Sequence, residues 1–265
     1  MNEYIVVSFS GGKDSTAMLL HMIELGEHID EVITCDTGME FPAMYRHIEK
    51  VRAAVEAAGI KFTVLSYEKT FENLLTQEVR YTNGGTRLVG IGWPSARLRW
   101  CTAYFKDHAM SKYKTAIKKR LKIPVFFYVG LAADEQKRLE RGQNKNKSHR
   151  HPLVEWGWKE ADALQYCYDH GYDWEGLYKI FKRVSCWCCP LQPIPELRKL
   201  YHNFPNLWQK LKELDSKQWR QFRADYSLNQ LEQRFIREDA QNKAQILMFE
   251  EKRERLYRDL GVGTE

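Results

Sequence analysis

An apolar run over residues 4–9 opens directly onto Ser10-Gly11-Gly12-Lys13-Asp14-Ser15-Thr16, and helical periodicity follows over 14–26. The apolar face of that stretch carries Ala17, Met18, Leu19, His21, Met22 and Leu25. A strand that runs through two glycines into a helix is the entry unit of a parallel sheet with crossover helices, and it narrows what the remaining chain can be. The alternation continues with strand Glu31–Cys35, a helix over 42–58, strand Lys61–Leu65, helical stretches near 70–80 and 102–121, and a strand over 124–129. The expected fold is α/β, a doubly wound parallel sheet whose ligands bind outside the carboxyl ends of the strands.

After about residue 158 the strand signal disappears, and the sequence reads as helices wrapped around a cysteine-rich loop. The expected division is an α/β domain over 1–158 and a helical part over 159–265. Two stretches break the alternation. Residues 81–97 hold four glycines and a proline and suit a mobile flap, and the basic stretch 136–150 reads as an exposed loop.

The glycine loop has the chemistry of a phosphate cradle. Two glycines let the backbone approach oxygens closely, and a helix N-terminus offers free N–H groups and a positive dipole end. Lys13 adds a point charge, while Ser10, Ser15 and Thr16 add hydroxyl donors along the same turn. Asp14 either holds Mg²⁺ through water or caps the helix. The spacing is neither that of a Walker A loop nor that of a dinucleotide fingerprint. An ordinary strand-to-helix turn would account for the glycines but not for a lysine beside them.

These residues resemble a known family. Ser10-Gly-Gly-Lys-Asp-Ser15 is similar to the pyrophosphate (PP) loop of the adenine-nucleotide α-hydrolases, enzymes of HUP-like fold that cleave ATP between the α and β phosphates and adenylate a substrate. Asp36-Thr37-Gly38-Met39-Glu40-Phe41-Pro42 resembles the D-T-G-x-x-F-P signature of the phosphoadenosine phosphosulfate (PAPS) reductase branch. Arg99-Trp100-Cys101-Thr102 with Lys106 resembles its R-x-C-T-x-x-x-K segment, and Gly130 to Glu135 with Arg138 its post-strand G-x-x-x-x-E-x-x-R. Pro152-Leu153, Glu155-Trp156 and the stretch through Tyr178 to Cys186-x-x-Cys189-Pro190 complete a match over about 4–192. The resemblance implies a nucleotide site built from Ser8, Ser10, Gly11, Gly12, Lys13, Ser15, Thr16, Asp36, Arg99, Lys106, Glu135 and Arg138, with Lys13, Asp14 and Ser15 in catalytic roles.

Two departures bear on the reaction. Reductases of this branch share a cysteine near a Glu-Cys-Gly-Leu-His end and tend to have a degraded PP-loop; here no cysteine follows Cys189 and the loop is intact. Both favour ATP cleavage over sulfonucleotide reduction. The combination of intact loop and cysteine cluster resembles the ATP pyrophosphatases of DNA phosphorothioation, which implies a nucleic-acid acceptor and a cysteine desulfurase as sulfur donor. A PAPS or APS reductase, a tRNA-thiolating enzyme and a non-catalytic nucleotide-sensing subunit are the rival readings.

Cys186, Cys188 and Cys189 lie within four positions, and Cys101 is the natural fourth thiol from a distant segment. Four thiolates suit a [4Fe–4S] cluster or Zn²⁺ and are too soft for Mg²⁺ or Ca²⁺. Adjacent Cys188 and Cys189 before a proline are closer to cluster-binding relatives than to zinc knuckles. Cys35 and Cys167 read as small buried hydrophobes. Arg97, Arg99 and Lys106, with Arg138 and Arg141, are expected at the carboxyl edge of the sheet, where they suit either nucleotide phosphates or a nucleic-acid backbone. Most tryptophans, and the aromatic positions of 205–260 including Trp208 and Trp219, read as packing residues.

Composition limits the alternatives. The 265 residues carry 41 Lys and Arg against 35 Asp and Glu, a formal charge of +6, with 43% hydrophobic and 29% charged residues. That is incompatible with a wholly disordered chain. No apolar run approaches the ~18–20 residues of a membrane span, and the sequence enters its first strand without a basic n-region or cleavage site. A cytoplasmic protein is expected.

Overall fold

The computed structural model describes residues 3–81, 85, 87–140 and 146–259. Its centre is a five-stranded, wholly parallel sheet in the order β3-β2-β1-β6-β7. The strands are β1 (Tyr4–Ser8), β2 (Glu31–Cys35), β3 (Lys61–Leu65), β6 (Val125–Val129) and the two-residue β7 (His149–Arg150). A separate antiparallel hairpin joins β4 (Val79–Tyr81) to β5 (Arg87–Val89). The helices before β6 are α1 (Lys13–Glu24), α2 (Pro42–Ala57), α3 (Phe71–Thr76), α4 (Trp100–Thr102) and α5 (Ala109–Leu121), with a π-helical turn, Ala103–His108, leading into α5. After β6 come α6 (Gln136–Leu139), α7 (Pro152–Glu155), α8 (Glu160–Asp169), a 3₁₀ turn (Trp174–Gly176), α9 (Leu177–Ile180), α10 (Ile194–Asn203), α11 (Pro205–Ser216) and α12 (Leu228–Asp259).

The expected doubly wound sheet is present, and its strands form where apolar residues occur without alternation because helices cover both faces. Val6 and Val7 of β1 are fully buried, as are Val32 and, nearly so, Ile33 of β2. One face packs Met18, Leu19 and Met22 of α1 with Val51 and Val55 of α2. The other packs Ile117, Met110 and Tyr113 of α5 against Val6, Ile33 and Phe127. The chain runs outward from β1 to β2 to β3, then returns to place β6 on the opposite side of β1. The crevice between the carboxyl ends of β1 and β6 is therefore the switch point, where such sheets bind ligands.

A third and larger apolar cluster joins α2 residues Ala43 and Met44 to Trp174, Leu197, Trp208, Phe222 and Phe235 of the later helices. The two parts of the chain thus share one body of packing.

Several local expectations change. The stretch 81–97 contains β5 rather than only a flap, because Gly90 N–H donates to Glu78 O at 2.7 Å and closes the hairpin; residues 82–84 and 86 lie outside the described residues. The basic stretch 136–150 is not loop throughout: α6 opens it and β7 closes it by pairing with Phe127 and Tyr128, while 141–145, including Arg141, lie outside the described residues. Leu25 follows the end of α1 and is 54% exposed rather than facing the core, and Trp219 is 56% exposed. Trp219 instead donates its indole N–H to Gly90 O. Cys35, at the end of β2, is half-buried.

Candidate active site

The glycine loop sits between Ser8, which pairs with both Ile33 and Val129, and the first turn of α1. Gly11 has φ of +77°, and a Cβ there would meet Met44 Sδ at 2.7 Å, so only glycine makes this turn without strain. Gly12 caps α1 in an extended conformation with no side-chain cap, which leaves first-turn amides without a side-chain acceptor from the cap position. On the other wall, Gly130 follows β6 so closely that a Cβ would lie 2.6 Å from Ser15 Cα and N. The end of β6 and the first turn of α1 thereby meet backbone to backbone at the switch point.

Side chains brace the loop. Ser15 Oγ donates to Gly12 O at 3.0 Å and accepts from Ser10 N–H at 3.2 Å, with Ser10 Oγ 3.1 Å away. Thr16 is fully buried, its hydroxyl turned inward onto His47 Nε2 at 3.0 Å. His47 is stacked on Trp174, with ring centroids 4.4 Å apart, and Trp174 donates its indole N–H to Gly11 O at 2.8 Å. Burial, aided by Lys50, pushes the His47 imidazole down to about 3, so it stays neutral near pH 7. Tyr178 Oη accepts from Lys13 N–H at 3.0 Å, and Cys167, buried as expected, donates its thiol to Lys13 O.

Lys13 is almost wholly buried, and its ammonium lies 2.7 Å from Asp14 Oδ1 and 2.8 Å from Glu160 Oε2. Burial opposes its charge, but hydrogen bonds and attraction from Asp14 and Glu160 outweigh it and raise Lys13 above its ordinary value. It remains a cation. Burial likewise pushes Asp14 up, with Lys13 countering and Glu160 and Glu135 adding repulsion. Glu135 accepts from Arg138 at 2.5 Å and from Ala132 N–H at 3.3 Å. The group Lys13, Asp14, Glu135, Arg138 and Glu160 is therefore gathered at one end of the crevice.

The Asp36–Glu40 turn lies beyond the end of β2. Asp36 Oδ1 accepts from Gly38 N–H at 2.8 Å and Tyr45 Oη–H at 3.0 Å, which holds the turn. Glu40 Oε1 accepts from the Cys186 thiol at 3.3 Å and from Thr37 Oγ1 at 3.2 Å, while Trp187 N–H donates to Met39 O. The cysteine turn is thus fastened to the second strand's motif. Cys188 is buried with Cys186, Cys189 and Cys101 all close enough to repel its thiolate, and burial is the main force pushing it up. Arg99 and Lys106 do not join the Lys13 group; the charge of Arg99 acts on Cys189 and that of Lys106 on Cys186 and Cys35.

The four thiols are a donor set suited to iron–sulfur or zinc chemistry. Among the described residues, however, no group of three or more His, Cys, Asp or Glu is arranged to hold a metal ion. All six cysteines are free of disulfides.

Glu160, Tyr178, Trp174 and His47 are the loop's partners that sequence reading did not assign to it. Tyr178 stood within a matched stretch, but none has a local signal, because each reaches the loop across 31 to 165 positions.

Known proteins place the chain by sequence. It is 28% identical over 214 residues to the uncharacterized protein MJ0066 of Methanocaldococcus jannaschii, covering 78% of this chain and 40% of that protein. It is 27% identical over 212 residues to MJ0973 of the same organism, covering 79% of this chain and 47% of that protein. The chain thus spans less than half the length of these relatives. Among solved structures, a U34-tRNA thiolase, NcsA from Methanococcus maripaludis with its [4Fe-4S] cluster, overlaps 80% of this chain and 69% of its own at 17% identity and a TM-score of 0.38. That overlap is too slight to bear on the chemistry here. The phosphoadenosine phosphosulfate reductase domain matches residues 4–192, the span that holds the glycine loop, the Asp36–Glu40 turn, Glu135 and the cysteine turn, and the chain is a member of that family.

Proposed function

We propose that this chain is an ATP pyrophosphatase that adenylates an acceptor for sulfur incorporation. The observation that carries the reading is the glycine turn at the switch point: Gly11 and Gly130 allow close packing where a Cβ would collide with Met44 and with Ser15, Gly12 caps α1 with no side-chain acceptor, and Lys13 stays charged at the α1 N-terminus. A polyphosphate suits that site, since helix amides and a buried ammonium favour negative charge. In this reading an acceptor oxygen attacks the α phosphorus, the bond to the β-phosphate oxygen breaks, and pyrophosphate leaves with the electron pair. Lys13 and the loop amides hold the charge that develops on it, an electrostatic role. Lys13 must first exchange a carboxylate for phosphate, and Glu160 is the partner more open to water, with a side chain 47% exposed against 21% for Asp14. In this reading Asp14, with Glu135 nearby, receives Mg²⁺ carried in with ATP.

The acceptor assigned here is a nucleic acid, as in the DNA phosphorothioation enzymes the sequence resembles, with tRNA thiolation the close rival and a cysteine desulfurase the sulfur source. Cys101, Cys186, Cys188 and Cys189 are the residues that would hold a [4Fe–4S] cluster or Zn²⁺. A cluster there would supply an iron site for sulfur beside Arg99 and Lys106. The test is calorimetry of anaerobically purified protein with ATP–Mg²⁺, APS and PAPS, followed by pyrophosphate and AMP detection. Preference for ATP with release of both products supports the proposal. Preference for a sulfonucleotide, or ATP binding without turnover once acceptor and sulfur donor are supplied, overturns it.

A further inference from the structure

The larger of two basic stretches in this chain lies in one short segment. Residues 97–122 hold nine Lys and Arg and a single acidic residue, Asp107, a net +8. The whole chain is +6, so everything outside this segment sums to −2. The structure lays the segment out as a line. It begins at Arg99 and Lys106 beside the cysteine turn, crosses the π-helical turn Ala103–His108, and continues along α5 to Lys122. Ile117 of α5 is buried against the sheet, while Lys112, Lys118, Lys119, Arg120 and Lys122 are exposed. From Lys106 to Lys122 this is roughly 24 Å of helix.

None of these exposed side chains forms an ion pair among the described residues. Elsewhere the surface arginines Arg46, Arg52, Arg150, Arg198 and Arg234 each have an acidic partner. A helix C-terminus attracts basic residues through its dipole, which accounts for Lys118 to Arg120. It does not account for Lys112, Lys106 or Arg99, which precede the last turn.

A second feature lies on the same line. Tyr67, from the segment after β3, lies against Tyr104 of the π-turn with ring centroids 5.1 Å apart and planes tilted by 36°, and meets His108 edge-on at 5.5 Å. Both tyrosines are half-buried and His108 is exposed. Aromatic rings interleaved with unpaired lysines are the equipment of single-strand nucleic-acid surfaces: lysines track phosphates and rings stack on bases. A π-turn inside a helix is also a common mark of a functional site.

We infer that the outer face of the π-turn and α5 is a nucleic-acid track. Phosphodiesters lie along Lys112, Lys118, Lys119 and Lys122, and an unstacked base rests on Tyr67 and Tyr104 at the end nearest the cysteines. This rests on and deepens the nucleic-acid part of the proposed function.

The test is fluorescence anisotropy of the full chain with a fluorescein-labelled 20-nucleotide RNA and with DNA of the same sequence, titrated across salt. Replacing Lys112, Lys118, Lys119 and Lys122 together by Gln is expected to weaken binding roughly tenfold or more near 0.1 M salt. It should also lower the slope of log K against log salt by about 3, at ~0.7 per phosphate contact. Tyr67→Leu with Tyr104→Leu is expected to weaken binding several-fold with the slope unchanged. Lys137→Gln with Lys147→Gln, in the other basic stretch, should change neither quantity. ATP binding is read in parallel on the quadruple variant, whose four lysines stand apart from the glycine loop. Loss of nucleic acid with ATP retained supports the track; a wild-type chain that binds nucleic acid but not ATP sinks the pyrophosphatase reading and leaves the track standing. Tighter binding of RNA or of DNA identifies the source of the phosphodiester. Unchanged affinity and slope in the quadruple variant, or wild-type binding to phosphatidylserine vesicles and to neither nucleic acid, overturns the inference.

Discussion

Gly12 and Gly130 both lie at the switch point, yet alanine at the two positions has different consequences for stability. At Gly130 an added Cβ would lie 2.6 Å from Ser15 Cα and N. Ordinary contact begins near 3.4 Å, so either the end of β6 or the first turn of α1 must retreat by roughly 0.8 Å. Both are backbone, held by β1–β6 pairing on one side and the Ser10–Ser15–Gly12 bonds on the other. Overpacking of this kind costs about 1–3 kcal/mol, or roughly 2–10 °C in Tm for a chain of this size. A shift approaching 1 Å in phosphate-binding amides costs about 10²-fold in rate. At Gly12, φ is −77° and the nearest atom to an added Cβ is Tyr178 Oη at 3.5 Å, an ordinary contact. Gly12→Ala should therefore melt within about 1 °C of wild type and still lose ATP affinity, because the methyl group fills space reserved for a phosphate. Differential scanning calorimetry and ATP–Mg²⁺ titration on the two variants decide it. Wild-type ATP affinity in a stable Gly12→Ala protein would refute the claim that a phosphate lies against this loop.

Lys13→Ala should abolish pyrophosphate release from ATP, with unchanged release removing Lys13 from the reaction. Cys186→Ser or Cys189→Ser, purified anaerobically, should lose iron or zinc by elemental analysis; full metal content would strike either residue from the ligand set. Acid stability has two separable causes. His47 is held neutral by burial, so as pH falls below the ordinary 6.5 the unfolded chain takes up a proton the folded one refuses, and stability drops by roughly 3 kcal/mol between pH 6.5 and 4. His47→Gln should flatten that limb in urea titrations. Glu31 is fully buried; burial raises it, but Lys61, Thr63 and Tyr113 outweigh that and hold it below its ordinary value. Its contribution is present above the unfolded carboxylate value and is lost as pH falls through the folded one. Glu31→Gln should cost roughly 1.5–3 kcal/mol at pH 7 and blunt the steeper loss below pH 4.5; an acid limb identical to wild type would refute this.

The elements legible in the sequence are those whose local pattern matches their burial. β1 and β2 are apolar on both faces and α2 has its buried residues on one side. The hairpin escaped because its strands are three residues long and leave Val79, Tyr81 and Val89 exposed, so packing imposes no pattern on them. β7 escaped because its pairing is supplied entirely by Phe127 and Tyr128. The glycine loop was readable because its chemistry is consecutive. Glu160 on Lys13, Tyr178 at the Lys13 amide and the Thr16–His47–Trp174 chain were not, because each depends on where distant segments come to rest. Trp219 shows the converse, an aromatic in a helical-looking stretch whose indole is spent on Gly90 O at the surface.

The grip on the glycine loop has a consequence for the order in which the molecule is made. Glu160, Cys167, Trp174 and Tyr178 all leave the ribosome long after β1 and α1, yet they hold Gly11 and Lys13. A nascent chain that has reached only Trp158 possesses the strand, the loop and the helix with none of these four restraints. Domains tend to fold during synthesis from the N-terminus onward, but here the glycine loop gains its last restraint only when residue 178 has emerged. ATP added to stalled nascent chains of increasing length should protect the loop from protease only past that point, so nucleotide capture marks a chain that has passed its own folding checkpoint.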